Sequence, residues 1–309
     1  MTRPASPAPN PAKHRPALLW LALIVIGIGW GITGPFSKLA VSTGNHPIGV
    51  TFWNTVIGAV VLTAVLLLSG RRLPLDRRHL VFFLICGLLG TALPNSLSYT
   101  AYRHLPIGVM SIIIALVPMA TLLLALPLGI ERRDPRRLAG LGLGAVAVGL
   151  IVLPEAGLPD PGQAAWVALP VIVSLAYAAE NIYIATARPP GCGALTVICG
   201  LSWGALILLA PAVVAADAWV DITRFDPPEL AIFVISALHM GAYFGFIWLI
   251  GQAGPVFASQ VAYVVTGSGV ILGMIVYAER YSPWIWAALA LMFAGLALVK
   301  PKRGGSGRE

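Results

Sequence analysis

The sequence predicts an all-α integral membrane protein of ten transmembrane helices arranged as two inverted five-helix repeats. Three observations carry that prediction. Only 10% of the residues are charged and 58% are hydrophobic, with a mean hydropathy of +0.86, where a soluble domain would have about a quarter charged. The stretch Ile107 to Ile151 lies without a gap on Pro255 to Val299, 148 positions later. Lys and Arg, finally, gather on one side of the apolar segments and are sparse on the other.

Within the repeat, Ser111 meets Ser259, Leu124 meets Leu272, Glu131-Arg132 meets Glu279-Arg280, Pro135 meets Pro283, Leu141 and Leu143 meet Leu289 and Leu291, and Leu150 meets Leu298. Each copy reads as an apolar helix, a Glu-Arg-x-x-Pro turn and a second apolar helix. The gapless turn carries the weight, because apolar helices share residues through composition alone.

Residues 1–16 are rich in Pro, Ala and Ser and read as a disordered cytoplasmic tail. Ten apolar segments follow, each near the roughly twenty residues that cross a hydrocarbon core. They are Ala17–Phe36, Pro47–Ser69, Leu80–Ala101, Leu105–Leu128, Leu138–Leu153, Ala164–Ala187, Gly193–Ala216, Leu230–Ile250, Val256–Ala278 and Pro283–Val299. The first could pass for the apolar core of a signal peptide, but removing it would leave one repeat a helix short. Between the eighth and ninth, Gly251-Gln252-Ala253-Gly254-Pro255 is expected to break the run, since Pro removes a helix donor and Gly costs helix entropy. Residues 17–154 and 163–299 form the two repeats, and 300–309 is a basic cytoplasmic tail.

The runs Arg71-Arg72, Arg77-Arg78, Arg132-Arg133 and Arg136-Arg137, with Arg188 and both tails, fall on one side. The other side holds Lys38, Arg103, Arg224 and Arg280 among Glu155, Asp160, Asp217, Asp221, Asp226 and Glu229. Cytoplasmic loops retain Lys and Arg, so both termini are expected in the cytoplasm, with the chain multi-pass in a cell membrane. Five spans per repeat then turn the second half upside down relative to the first. Inverted repeats are the usual build of a secondary transporter, with the site between the halves near the bilayer midplane.

The net charge of +8 is accounted for by these loops, and no nucleic-acid partner is expected. Cys86, Cys192 and Cys199 have no metal or disulfide spacing. Without a Walker motif, a nucleophile elbow or a His-Glu-x-x-His pattern, no cofactor or metal is expected and energy would come from gradients. The competing class is an intramembrane enzyme or a scaffold, neither of which moves a solute.

Glu180 is the acidic residue set well within a span, where a lone charge costs several kcal/mol, so something must compensate it. It is a structural hydrogen-bonding group or the partner of a substrate ammonium or coupling proton. Around it Ser174, Tyr177 and Asn181 recur at three- and four-residue spacing and are expected to line one helix face with polar groups; Ser236, His239 and Tyr243 do the same on the eighth span, and Gln260, Tyr263 and Thr266 on the ninth. At about 1.5 Å per residue, Glu180, Tyr243 and Tyr263 each lie roughly 10 Å from the cytoplasmic ends of their helices. The first half offers Trp30 and Thr33, Thr51 and Asn54, and Asn95, Tyr99 and Tyr102, set toward the outer half of the membrane. A small-molecule site is therefore expected at Trp30, Asn54, Asn95, Tyr99, Tyr177, Glu180, Asn181, His239, Tyr243, Gln260 and Tyr263. Gly140-x-x-x-Gly144 and Ala145-x-x-x-Gly149 put small residues on the fifth span for close packing, within the monomer or across a homodimer.

Trp30-Gly31 followed by Lys38, Leu116-Val117-Pro118 ahead of Glu131, and the helix of Gly140, Gly142, Gly144 and Gly149 resemble the drug/metabolite transporter superfamily, specifically its ten-helix EamA-type permeases. Glu279, Ala288 and Gly295 look like the second copy, although Thr266 stands where that copy commonly has a proline. The resemblance covers Ala17 to Val299 and implies transport, often export, of amino acids or other small metabolites across the bacterial inner membrane.

Overall fold

The structure, a computed structural model, describes residues 16–129, 134–152, 161–258 and 261–299. Among them every regular element is helical: α1 (Pro16–Ala40), α2 (Pro47–Leu68), α3 (Arg77–Gly87), α4 (Leu93–Tyr102), α5 (Ile107–Ile114), α6 (Val117–Ala125), α7 (Pro135–Val152), α8 (Ala168–Ala187), α9 (Ala194–Ala215), α10 (Pro227–Ala258), α11 (Val261–Tyr277) and α12 (Pro283–Val299). Ten spans result, because α3 and α4 are joined through a π-helical turn at Leu88–Ala92 into one third span and α5 with α6 forms the fourth. Seven spans are long and apolar enough to cross a membrane, and α11 and the Pro283–Gly295 part of α12 are shorter apolar helices. Large apolar side chains stay exposed along them, Leu21, Val25, Val60, Ile207, Phe244 and Ile275 among these, as a lipid-facing surface requires.

Two departures from the expected spans trace to proline. Pro118 ends the run of helix hydrogen bonds inside the fourth span, since it has no N–H for the carbonyl of Ile114. Pro94 likewise offers nothing to the carbonyl of Gly90, and the wide turn Leu88–Ala92 absorbs the mismatch with a bond from Leu93 N to Leu88 O. The break expected at Gly251–Pro255 is not where α10 ends: the helix runs to Ala258. A single Pro near a helix end forfeits one backbone bond, which is not enough to stop it. The Glu131 turn of the first copy and both tails lie outside the described residues.

Helix starts follow local chemistry. The Asp76 carboxylate accepts from Arg78 N and His79 N at the start of α3, Asp134 accepts from Arg136 N at 2.9 Å ahead of α7, and prolines open α2, α7, α10 and α12.

Neighbour relations repeat between the halves. The first span packs on the eighth and ninth as the sixth packs on the third and fourth. The third packs on the seventh as the eighth packs on the second, while second with seventh, fourth with ninth and fifth with tenth are self-paired. Exchanging the first five spans for the last five leaves these pairings unchanged. Packing depends on missing Cβ atoms, as expected where lipid removes the hydrophobic drive between helices. A Cβ at Gly87 would sit 2.6 Å from Leu201 O, one at Gly204 2.6 Å from the Phe83 carbonyl carbon, and one at Gly295 2.7 Å from Gly140 O. The last contact gives the small face of the fifth span a partner within the monomer.

At the end of the bundle carrying Lys38, a polar latch joins three elements. Glu279 Oε1 accepts from Lys38 Nζ at 2.8 Å and from Ile107 N at 2.9 Å. Its Oε2 accepts from Gly108 N at 3.4 Å and the Tyr281 hydroxyl at 2.5 Å. The carboxylate thus caps α5 while holding the end of α1. Burial opposes its charge, but the Lys38, Tyr281 and Ile107 donors and the Lys38 charge hold the carboxyl below its ordinary range. Nearby, Asn45 Nδ2 donates to Glu229 Oε1 at 2.8 Å, and Trp53 Nε1 to Val220 O at 2.9 Å.

Candidate functional site

Where the second, third, sixth and eighth spans meet, the polar faces find one another. Asn54 donates from Nδ2 to the Tyr99 hydroxyl at 3.1 Å, and its Oδ1 accepts from Ser236 Oγ at 2.8 Å. This ties helices from both halves through side chains that are all buried. One turn along the same faces, Ser96 Oγ donates to Thr51 Oγ1 at 3.2 Å. Tyr177 reaches across from the sixth span and donates to Asn95 Oδ1 at 3.1 Å, while Ser174 Oγ donates to Ile113 O at 3.1 Å. Buried polar groups are costly unless paired, and this set pairs itself.

Glu180 is the exception. Its side chain is buried, at 3% exposure, and Oε1 has no hydrogen-bond partner. The carboxylate lies flat against the α-carbon of Gly90, where a Cβ would overlap all three of its terminal atoms. Tyr177, Tyr243 and Cys86 lie within electrostatic reach of it. Tyr243 in turn meets the Trp30 ring edge-on at 6.0 Å, and Trp30 tilts onto Phe246 at 5.3 Å. A carboxyl group with a free acceptor atom, close to Tyr177 and Tyr243, suits a cationic or protic group.

The expected residues therefore divide. Asn54 with Tyr99 and Asn95 with Tyr177 form neighbouring hydrogen-bonded pairs, one turn apart along α4, with Glu180, Tyr243 and Trp30 beside them. His239 is half-buried on the eighth span, between Ser236 and Tyr243 in sequence. Asn181 is exposed, since the residue after Glu180 is turned about 100° around the helix. Tyr263 packs on Phe293 of the tenth span at 5.7 Å and against the large buried core that also contains Tyr99. Gln260 lies outside the described residues. Sequence reasoning missed Ser96 and Gly90; the spacing Gly90-x-x-x-Pro94 is the signal that marked the wide turn.

Residues 17–153 match the family model described as the EamA-like transporter family. The chain is 27% identical over 294 residues to "Uncharacterized inner membrane transporter YedA" of Escherichia coli strain K12, across 91% of this chain and 90% of the relative. It is 25% identical over 297 residues to "Probable terminal-alkyne amino-acid exporter" of Streptantibioticus cattleyicolor, across 93% and 95%. A solved structure titled "Crystal structure of protein" overlays with a TM-score of 0.60 at 19% identity, covering 90% of this chain and 96% of that one, and so shares the fold. Residues 17–153 thus match the EamA-like transporter family, and nearly the whole chain is similar to a protein named as an inner membrane transporter.

Proposed function

We propose that the protein exports small amphipathic metabolites, amino acids or close relatives, by alternating access between halves 17–154 and 163–299, with both termini in the cytoplasm of a bacterial cell. The observation that carries this reading is the partnerless Oε1 of Glu180 within a paired polar network built from both halves. A paired network is inert toward solutes, whereas an unfilled acceptor beside aromatic rings offers an ammonium a place to dock. Exchange-symmetric helix neighbours supply two states of similar energy, as alternating access needs. A relative named as an amino-acid exporter agrees with the substrate class.

Flux through purified protein in liposomes tests it, using a panel of labelled amino acids, amines and sugar phosphates. Amino acids should move and sugar phosphates should not, because the described spans place no Lys or Arg beside Glu180. An enzyme or scaffold would give no flux for any solute. Glu180→Gln keeps shape and hydrogen bonding and should insert normally yet lose flux or its pH dependence. Wild-type flux in that variant from pH 5.5 to about 8, a range around His titration, would assign Glu180 to structure.

A further inference from the structure

We propose that the seam between α3 and α8 is the route by which a zwitterionic solute reaches Glu180 from the arginine-rich end of the bundle, with the Phe82–Tyr183 ring pair as its gate and Gly90 as the seat of the carboxylate. The proposal rests on the transporter reading and adds to it a path, a gate and a charge class. Four observations lie in order along this seam. An open cleft of about 550 Å³ is lined by Arg77, Arg78, Val81, Phe82, Tyr183 and Ala187. Behind its mouth, Phe82 and Tyr183 stack at 5.5 Å with 22° between their planes. Next comes buried Cys86, one turn beyond Phe82. Glu180, one turn from Tyr183, then rests on Gly90, one turn from Cys86.

Helical spacing makes the order physical. Phe82, Cys86 and Gly90 recur at four-residue steps, and Glu180, Tyr183 and Ala187 at three and four, so each set lines one stripe of its helix. The stripes face each other, since Phe82 meets Tyr183 and Gly90 meets Glu180. The stacked rings therefore close the seam between cleft and carboxylate. Ring pairs are worth little beyond the area they cover and can part without breaking a hydrogen bond.

Charge along the path selects the class. The exposed guanidinium groups of Arg77 and Arg78 favour a solute carrying a carboxylate, and Glu180 favours one carrying an ammonium; a zwitterion satisfies both. The titratable groups facing Glu180 are Cys86 from α3, Tyr177 from α8 itself and Tyr243 from α10, with Tyr99 and Tyr102 of α4 beyond Tyr177. None supplies a cation. While the site is empty, a buried acid with no cation beside it holds its proton; when the solute ammonium docks, the Glu180 O–H bond breaks and that proton leaves to the cleft water, while the ammonium keeps its three hydrogens. Departure of the solute reverses the step. One proton thus counts against one bound ammonium.

Cys86 is a built-in reporter. In purified full-length protein, 2-aminoethyl methanethiosulfonate is added and modification of the Cys86 peptide is followed by mass spectrometry. Phe82→Ala should speed modification at least about tenfold, a lowering of about 1.4 kcal/mol in the opening barrier; Phe82→Leu provides a smaller truncation should the first variant fold poorly. Phenylalanine should slow modification and release one proton per bound molecule in weak buffer. N-acetylphenylalanine, which lacks the ammonium, should do neither, and Glu180→Gln should abolish both effects of phenylalanine. Gly90→Ala should weaken phenylalanine protection by displacing the carboxylate. Unchanged Cys86 rates in both Phe82 variants, or equal protection by the two compounds, would overturn the route while leaving measured flux intact. Absence of flux for every solute would instead overturn the transporter reading.

Discussion

Removing the Glu279 latch tests whether a cluster assembled across 241 residues of sequence separation holds the bundle together. The perturbation is Glu279→Gln, alone and combined with Lys38→Met. The carboxylate takes four donors, two of them at 2.8 and 2.9 Å, and its side chain is only 9% exposed, whereas Lys38 is 25% exposed. Hydrogen bonds to a charged group contribute about 1.5–3 kcal/mol each, and truncating a buried pair costs about 3–5. Partial exposure of Lys38 and the oxygen retained by Gln reduce this, so Glu279→Gln should cost about 2–4 kcal/mol. Lys38→Met leaves the carboxylate three donors and should cost less. The pair should couple by about 1–2 kcal/mol in a double-mutant cycle, read from unfolding in a mild detergent. The carboxyl is held below its ordinary value, so its contribution is fully present above the unfolded pKa of about 4.3 and is lost as pH falls through the lower folded value. The gap between wild type and Glu279→Gln should be constant near neutrality and close below about pH 4. Additive single effects, or a gap that widens in acid, would refute the latch.

Three further outcomes follow from the geometry. Tyr99→Phe removes the acceptor of the buried Asn54 amide and should lower stability by about 1–3 kcal/mol; an unchanged melt would mean that the amide turns to another partner. Gly87→Ala drives a methyl into the α9 backbone and should cost at least about 1–3 kcal/mol, whereas Gly58→Ala, with open space around it, should be neutral or stabilising. Equal effects at the two glycines would undo the packing account. For orientation, cysteines placed beside Asp221 should react with an impermeant reagent added outside cells and cysteines beside Arg77 should not; the reverse pattern would put the termini outside.

Much of this architecture is legible in the chain because lipid imposes a length and a composition that any twenty-residue window reveals. What escapes is whatever one helix decides about another. Lys38 and Glu279 lie on opposite repeats, and no local pattern says that the Glu-Arg-x-x-Pro turn caps a helix of the other half; the duplication exposes the motif without its partner. The four-residue spacing from Tyr177 places Asn181 on the face of Glu180, yet adjacent helical residues diverge by about 100°, and the structure leaves Asn181 exposed while burying Glu180. Gly90 is the deepest case. In sequence it is one glycine of 33, and its meaning depends jointly on Pro94, which withholds a backbone donor from it, and on Glu180, which occupies the room its missing Cβ leaves. Two independent constraints meet at that residue, one on its carbonyl and one on its α-carbon. A substitution that satisfied the first, such as Ala in a regularised helix, would still collide with the carboxylate. The wide turn and the buried acid are therefore one unit, and changing either should move the other.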